Sequence, residues 1–392
     1  MEPEIHRINH ISLNKSKTEF CLSYNNGLKT YNLEKFTQNN SSNNFEVKLG
    51  GISFSEYLPK DDIIIFVGTK LNKNYSNKQV VFFDIVNKKE ILTKSFDEEI
   101  TNMKFVDNYL LVSLGKELKI FLYENENDEL ISKYDISISD KKSKLFEAWV
   151  IKEENLVGAI MHKSSTLYIA YVQKNEINIK VLTCEDEFKV NKIQDINTPV
   201  NEIQNLFFIK KLNQIFICDE KAIYIYGFDV DTGKIQICLR RGSNPGFITS
   251  MTLLNGNFLA INNKNKTIHI FDLDINNNAF SFSNIVYSMV YGIQEIYPCL
   301  RIYYKDLVKE NEGQFFNIDF KEKGAALVSE DEGNELNIIA YNGYAYKIRV
   351  DLKNYKYEVL LKVCYSDDKN DTLKETLKSA SLVSSNIFNK QK

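Results

Sequence analysis

An all-β chain folded as one seven-bladed β-propeller is predicted from three observations. A unit of short apolar strand, polar turn and second strand recurs seven times along the 392 residues. Aromatic residues are abundant, with 25 Phe and 22 Tyr, and these favour strands over helices. Apart from the two ends, no region carries a long amphipathic helical pattern.

The units follow in order. Glu19–Leu33 is the first, and the runs Ile63–Gly68 and Val80–Val86 form the second. Tyr109–Tyr123 is the third and Thr166–Val172 the fourth. Ile215–Phe228, Phe258–Leu273 and Asn337–Val350 complete the set. With Tyr31, Phe83, Phe121, Tyr171, Phe228, Phe271 and Ile348 as equivalent points, the steps are 52, 38, 50, 57, 43 and 77 residues. A four-stranded blade takes about 40–50 residues, so the last step implies an insertion of roughly 30. A pair of β-sandwich sheets also yields many short strands. The even repeat and the total length favour the propeller, whose radial closure leaves little exposed edge. The propeller is assigned to residues 1–366, and the polar stretch 367–392 reads as a disordered tail with at most one weak helix.

Composition narrows the function classes. The formal net charge is −3, from 49 Lys+Arg against 52 Asp+Glu, which argues against broad coating of nucleic acid or of an anionic membrane. A polyanion must be met by a local cluster. Cys21, Cys184, Cys218, Cys238, Cys299 and Cys364 show no CxxC spacing and read as reduced thiols of a cytoplasmic protein, with neither a disulfide framework nor a zinc site. The opening MEPEIHRINH lacks an apolar signal region, and no apolar run reaches about 18 residues, so membrane contact is expected to be peripheral.

Searches for catalytic chemistry return little. No GxGxxG, P-loop, GxSxG or HExxH motif is present, and His6, His10, His162 and His269 have no Cys or His at metal-ligand spacing. Asp229–Gly233 (DVDTG) resembles the first half of a calcium loop but lacks the later ligands, so a hairpin turn is the better reading. Neither an enzyme, a cofactor nor a metal is expected.

The informative segment is Cys238–Met251 (CLRRGSNPGFITSM), followed by Phe258–Phe271 (FLAINNKNKTIHIF). Two successive strand residues point to opposite sides, so Arg240 and Arg241 are expected to serve two pockets flanking one blade. Arginine suits phosphate because its planar fork donates parallel charged hydrogen bonds. Gly242 lets the backbone turn or approach a ligand closely. Thr267 and His269, two residues apart, share a face. A hydroxyl and an imidazolium converging on an arginine make a phosphate site, although Arg-Arg near a strand end also fits a solvated rim and a strand His a structural residue. If His269 touches phosphate, affinity is expected to rise as pH falls toward about 6.

This segment resembles the PROPPIN family, autophagy-linked phosphoinositide-binding propellers related to WD-repeat proteins. The family pattern is F/L-R-R-G, then I-x-S-[LM], then T-x-H-[IV]-F, and Leu239–Gly242, Ile248–Met251 and Thr267–Phe271 match it. The likeness extends through nearly the whole chain, from Cys21–Leu33 to Asn337–Val350 and the acidic Asp367-Asp368. The resemblance implies two lipid sites, for phosphatidylinositol 3-phosphate and the 3,5-bisphosphate. The second carries over as Arg241, Thr267 and His269, with Asn263 in place of a family Ser; an Asn can still donate a hydrogen bond. The first is eroded. Where the family has S-x-S-x-x-G-T-x-x-R, this chain has Ile217, Asp219, Ala222, Ile223 and Tyr226, leaving Arg240 alone beside an anion that repels phosphate.

The insertion contributes an apolar, nearly uncharged run holding Phe282, Ile285, Val286, Tyr287, Met289, Val290, Tyr291 and Ile293. A core segment would look the same. Its place, in a loop over residues 274–300, points instead to insertion into a bilayer interface, as the family's loop of that blade does. The expectation is a non-enzymatic phosphoinositide effector, peripheral on autophagic, endosomal or vacuolar membranes, recruiting lipid-transfer or conjugation machinery of autophagy and binding no nucleic acid. The alternative is a protein-interaction scaffold propeller with little lipid affinity.

Overall fold

The computed structural model describes residues 8–37, 50–58, 63–137, 144–152, 165–196, 203–274, 295–307, 324–329 and 333–365, apart from isolated positions inside these ranges. Both the apolar run Phe282–Ile293 and the tail 367–392 lie outside the described residues. The chain divides into two compact units, Ile8–Leu206 and the part from Phe207 onward.

The first unit holds four sheets, each an antiparallel meander of consecutive strands. They are β1 (Ile8–Leu13), β2 (Glu19–Tyr24) and β3 (Gly27–Asn32); β4 (Ile52–Tyr57), β5 (Ile63–Gly68), β6 (Gln79–Asp84) and β7 (Lys89–Ser95); β8 (Asn102–Val106), β9 (Tyr109–Ser113), β10 (Glu117–Glu124) and β11 (Glu129–Ser137); and β12 (Lys144–Lys152), β13 (Ser165–Gln173), β14 (Glu176–Glu185) and β15 (Glu187–Ile196). Phe82, Val67 and Val80 of the second sheet pack with Leu110, Val112 and Phe121 of the third in one buried cluster. The stacked rings of Phe82 and Tyr123, 4.9 Å apart, tie the same two sheets.

Three sheets make up the second unit. The first, β16 (Asn205–Ile209), β17 (Gln214–Cys218), β18 (Tyr224–Asp229) and β19 (Ile235–Arg240), gains a parallel fifth strand, β23 (Glu295–Ile296). The next comprises β20 (Ile248–Leu254), β21 (Phe258–Asn263), β22 (Thr267–Asp272) and β24 (Pro298–Tyr303), and the last β25 (Ala325–Ser329), β26 (Glu335–Ala340), β27 (Tyr344–Asp351) and β28 (Lys356–Cys364). One short helix, α1 (Tyr304–Leu307), follows β24.

Every repeat read from the sequence includes a strand at the middle of one sheet, where apolar residues are needed on both faces; β5, β9, β17 and β21 are buried almost throughout. Outer strands are wetter, and β7 alternates poorly and is half exposed. Third strands in four sheets end on an aspartate whose carboxylate accepts backbone N–H groups of the following turn: Asp84, Asp229, Asp272 and Asp351. Asp229 takes Thr232 N–H at 2.8 Å and the Thr232 hydroxyl at 2.7 Å, with Gly233 at φ +62°, so the calcium-like string is a hairpin turn. The insertion is narrower than the sequence indicated. Glu295–Ile296 form β23 and Pro298 opens β24, and Glu295 and Ile296 are buried where they pair with Cys238 and Leu239 of β19.

Candidate functional site

The site lies between the sheet of β16–β19 and β23 and the sheet of β20–β22 and β24. These two sheets meet through Ala222, Ile225 and Leu239 on one side and Ile248, Ile261 and Phe271 on the other. The register places Asn263 opposite Thr267 and Ile261 opposite His269. Directly opposite residues share a face, so Asn263, Thr267 and His269 lie on the face that Ile261 and Phe271 bury. A tight turn closed by Lys266 N–H to Asn263 O, 3.3 Å, with Lys266 at φ +62°, sets Asn263 and Thr267 side by side at its base.

The arginine pair splits as the alternation of a strand requires. Arg241 is 4% exposed. Its Nε donates to Ala222 O at 2.8 Å and its Nη2 to Lys221 O at 3.4 Å and to Asn244 O. Ala222, at φ +45°, sits in the β17–β18 turn that Asp219 caps by accepting Ala222 N–H at 2.6 Å. Asp219 thus builds the cradle that aims Arg241, which carries no carboxylate partner among the described residues. Burial, and beyond it the nearby Arg301 charge, lower the Arg241 pKa.

Arg240 is spoken for by other groups. Its Nη1 donates to the Tyr297 hydroxyl at 3.1 Å and meets Glu295 Oε2 at 3.5 Å, while that hydroxyl donates to the same carboxylate oxygen at 2.9 Å. The Tyr224 and Tyr297 rings each lie 5.7 Å from its guanidinium carbon. The hydrogen bond to Tyr297 leads the causes that raise its pKa. Ile217 and Ala222, at eroded positions of the first pocket, are core residues, and Tyr226 is buried.

The imidazolium expected at His269 is not what the ligand-free protein holds. Burial drives its pKa down to about 3, and the charges of Arg241 and Arg301 push the same way, so the ring is neutral. Asn263 Nδ2 approaches His269 Nδ1 at 3.3 Å, while Asn263 Oδ1 is buried without a partner. Its neighbour Asn262, on the opposite face, is fully used: it donates to Thr249 Oγ1 and Ala325 O and accepts from the Tyr304 hydroxyl. Gly242 has no left-handed φ, and a Cβ there would meet nothing within 4 Å, so space stands open beside Arg241. Sequence reasoning missed Arg301, directly opposite His269 in β24, and Glu295. Both follow an insertion, and neither has a local sequence signal.

Arg241 and Arg301, neither with a carboxylate partner among the described residues, stand near enough to the neutral His269 for their charges to act on it, chemistry suited to a phosphate. Among the described residues, no group of three or more His, Cys, Asp or Glu could hold a metal ion, and no helix is long and apolar enough to cross a membrane.

No family model matches the chain. Autophagy-related protein 18 of Dictyostelium discoideum is 26% identical over 259 residues, 65% of this chain and 63% of that protein, so the match spans just under two thirds of the relative's length. Autophagy-related protein 21 of Schizosaccharomyces pombe is 21% identical over 370 residues, covering 92% of this chain and 98% of the relative. Among solved structures, the complex of KlAtg21 with the coiled-coil of AgAtg16 superposes with a TM-score of 0.63 at 16% identity, over 92% of this chain and 99% of that one. These likenesses agree with the resemblance of the Leu239–Gly242 and Thr267–Phe271 motifs to the PROPPIN family: both relatives are autophagy-related proteins, and the solved neighbour shares the β-propeller fold.

Proposed function

We propose that the chain is a phosphoinositide-binding effector of autophagy, attaching peripherally to membranes that carry phosphatidylinositol 3-phosphate or the 3,5-bisphosphate. The observation that carries this reading is the cluster of buried Arg241, half-buried Arg301 and neutral His269, with no carboxylate partner to either arginine among the described residues. Two cations with no carboxylate partner among the described residues favour an anion whose oxygens can take their donors. Arg241, Thr267, His269 and Asn263 line it, with Gly242 leaving access, and the apolar run Phe282–Ile293 adds a bilayer contact. Avidity between one headgroup and an inserted loop compensates for a near-neutral surface. The partner class is the lipid-transfer or conjugation machinery of autophagy, met on autophagic, endosomal or vacuolar membranes. The solved complex of KlAtg21 with a coiled-coil of AgAtg16 supports a protein partner of that kind.

A second reading, a protein-interaction scaffold with little lipid affinity, is favoured by one observation: Arg240 already meets Glu295 and Tyr297. Flotation with vesicles containing or lacking the 3-phosphorylated lipid separates the two. The lipid reading predicts flotation that needs the 3-phosphate and is lost in Arg241→Gln. Flotation unchanged in the Arg240→Gln/Arg241→Gln double variant sinks it.

A further inference from the structure

Arg301 is half-buried, and its Nε is buried without a hydrogen-bond partner. No hydrogen bond or ion pair joins its side chain to another described residue. Antiparallel pairing sets it directly opposite His269, so it rises from the face that carries His269 and Thr267. It stands close enough to both Arg241 and His269 for its charge to act on each. Leaving the buried Nε–H unpaired is costly, and a second cation nearby adds repulsion. Nothing in the packing explains an arginine here, since the neighbouring positions on the face, Ile261 and Phe271, are apolar.

We infer that Arg301 is a direct phosphate ligand, the second guanidinium of the pocket, and that the Arg241–Arg301 pair selects a phosphomonoester over a phosphodiester. The inference rests on reading the pocket as a phosphoinositide site. A monoester carries about −1.5 to −2 charges near neutral pH, whereas the diester of unmodified phosphatidylinositol carries one. Two guanidinium groups match the first, while the neutral His269 adds a donor without overcharging the site. The same monoester chemistry belongs to a lipid headgroup and to free phosphate, so both are probed.

The test is calorimetric titration of the full chain with soluble inositol 1,3-bisphosphate, using wild type, Arg301→Gln, Arg301→Lys, Arg241→Gln and the exposed control Lys116→Gln. Arg301→Gln is expected to bind about ten- to a hundredfold more weakly, Arg301→Lys less so, and the control to match wild type. The Arg301→Gln protein keeps or raises the wild-type Tm, because it loses an uncompensated charge. A lowered Tm marks Arg301 as structural and overturns the inference. So does binding within about twofold of wild type in Arg301→Gln when Arg241→Gln abolishes it; the pocket reading then survives. If neither variant alters headgroup binding, the phosphoinositide reading itself falls. Inorganic phosphate is expected to bind far more weakly than the headgroup, and equal affinities overturn the lipid assignment.

Discussion

Asn263 Nδ2 lies 3.3 Å from His269 Nδ1 inside the pocket, and this contact fixes what His269 offers a ligand. An amide that donates makes Nδ1 the acceptor, which places the ring proton on Nε2 as a donor. Under the proposed function, His269 would meet a phosphate as a neutral imidazole. Nitrogen-15 NMR of the ligand-free protein should show the neutral Nε2–H tautomer throughout pH 5.5–8. Asn263→Ala should leave a mixture of tautomers and weaken headgroup binding.

The pH dependence expected from an imidazolium is therefore revised. Between pH 5.5 and 8, headgroup affinity should not follow titration of His269 in the free protein, because its pKa is held at about 3. Stability, in contrast, should depend on pH. The unfolded chain takes up a proton near pH 6.5 that the folded ring refuses until about pH 3, so stability falls as pH drops through this window. At pH 5.5 the single residue costs about 1.4 kcal/mol. Urea unfolding of wild type and His269→Gln at pH 8 and 5.5 measures it, and the variant should lose that part of the pH slope.

Arg240 is predicted to matter more for folding than for lipid. It faces the buried Glu295, and removing one member leaves the other uncompensated. Arg240→Gln should lower stability by roughly 1–3 kcal/mol, and Arg240→Gln/Glu295→Gln should recover part of the loss. Denaturant unfolding across the double-mutant cycle reads the coupling. Purely additive effects would show that the contact contributes nothing.

Gly242→Ala separates access from folding. With no left-handed φ and no neighbour within 4 Å of an added Cβ, the change should leave stability within about 0.5 kcal/mol of wild type. A loss of headgroup affinity at unchanged Tm would show that ligand fills the space beside Arg241.

The seven units were legible because strands at the middle of a sheet must be apolar on both faces, and Ile63–Gly68 or Phe258–Asn263 say so in composition alone. The outer strands were not, since β7 is half-solvated and its residues carry little alternation. A repeated aspartate at Asp84, Asp229, Asp272 and Asp351 was a readable but unread signal of the outer turns. In the site, strand parity puts Thr267 and His269 on one face, and Arg241 stands near enough for its charge to act on His269. Glu295 and Arg301 were invisible to local reasoning. Glu295 reaches Arg240 across 55 positions, a pairing that only the return of the chain after the insertion creates. The neutral state of His269 was equally hidden, for it depends on burial and on a cation from another strand.

Counting headgroups per chain tests the central claim most directly. Titration of soluble inositol 1,3-bisphosphate into wild type, Arg240→Gln and Arg241→Gln at constant ionic strength should give one equivalent for the first two and none for the third. Two equivalents in wild type, or one that persists in a folded Arg241→Gln protein, would contradict a single reader built around Arg241.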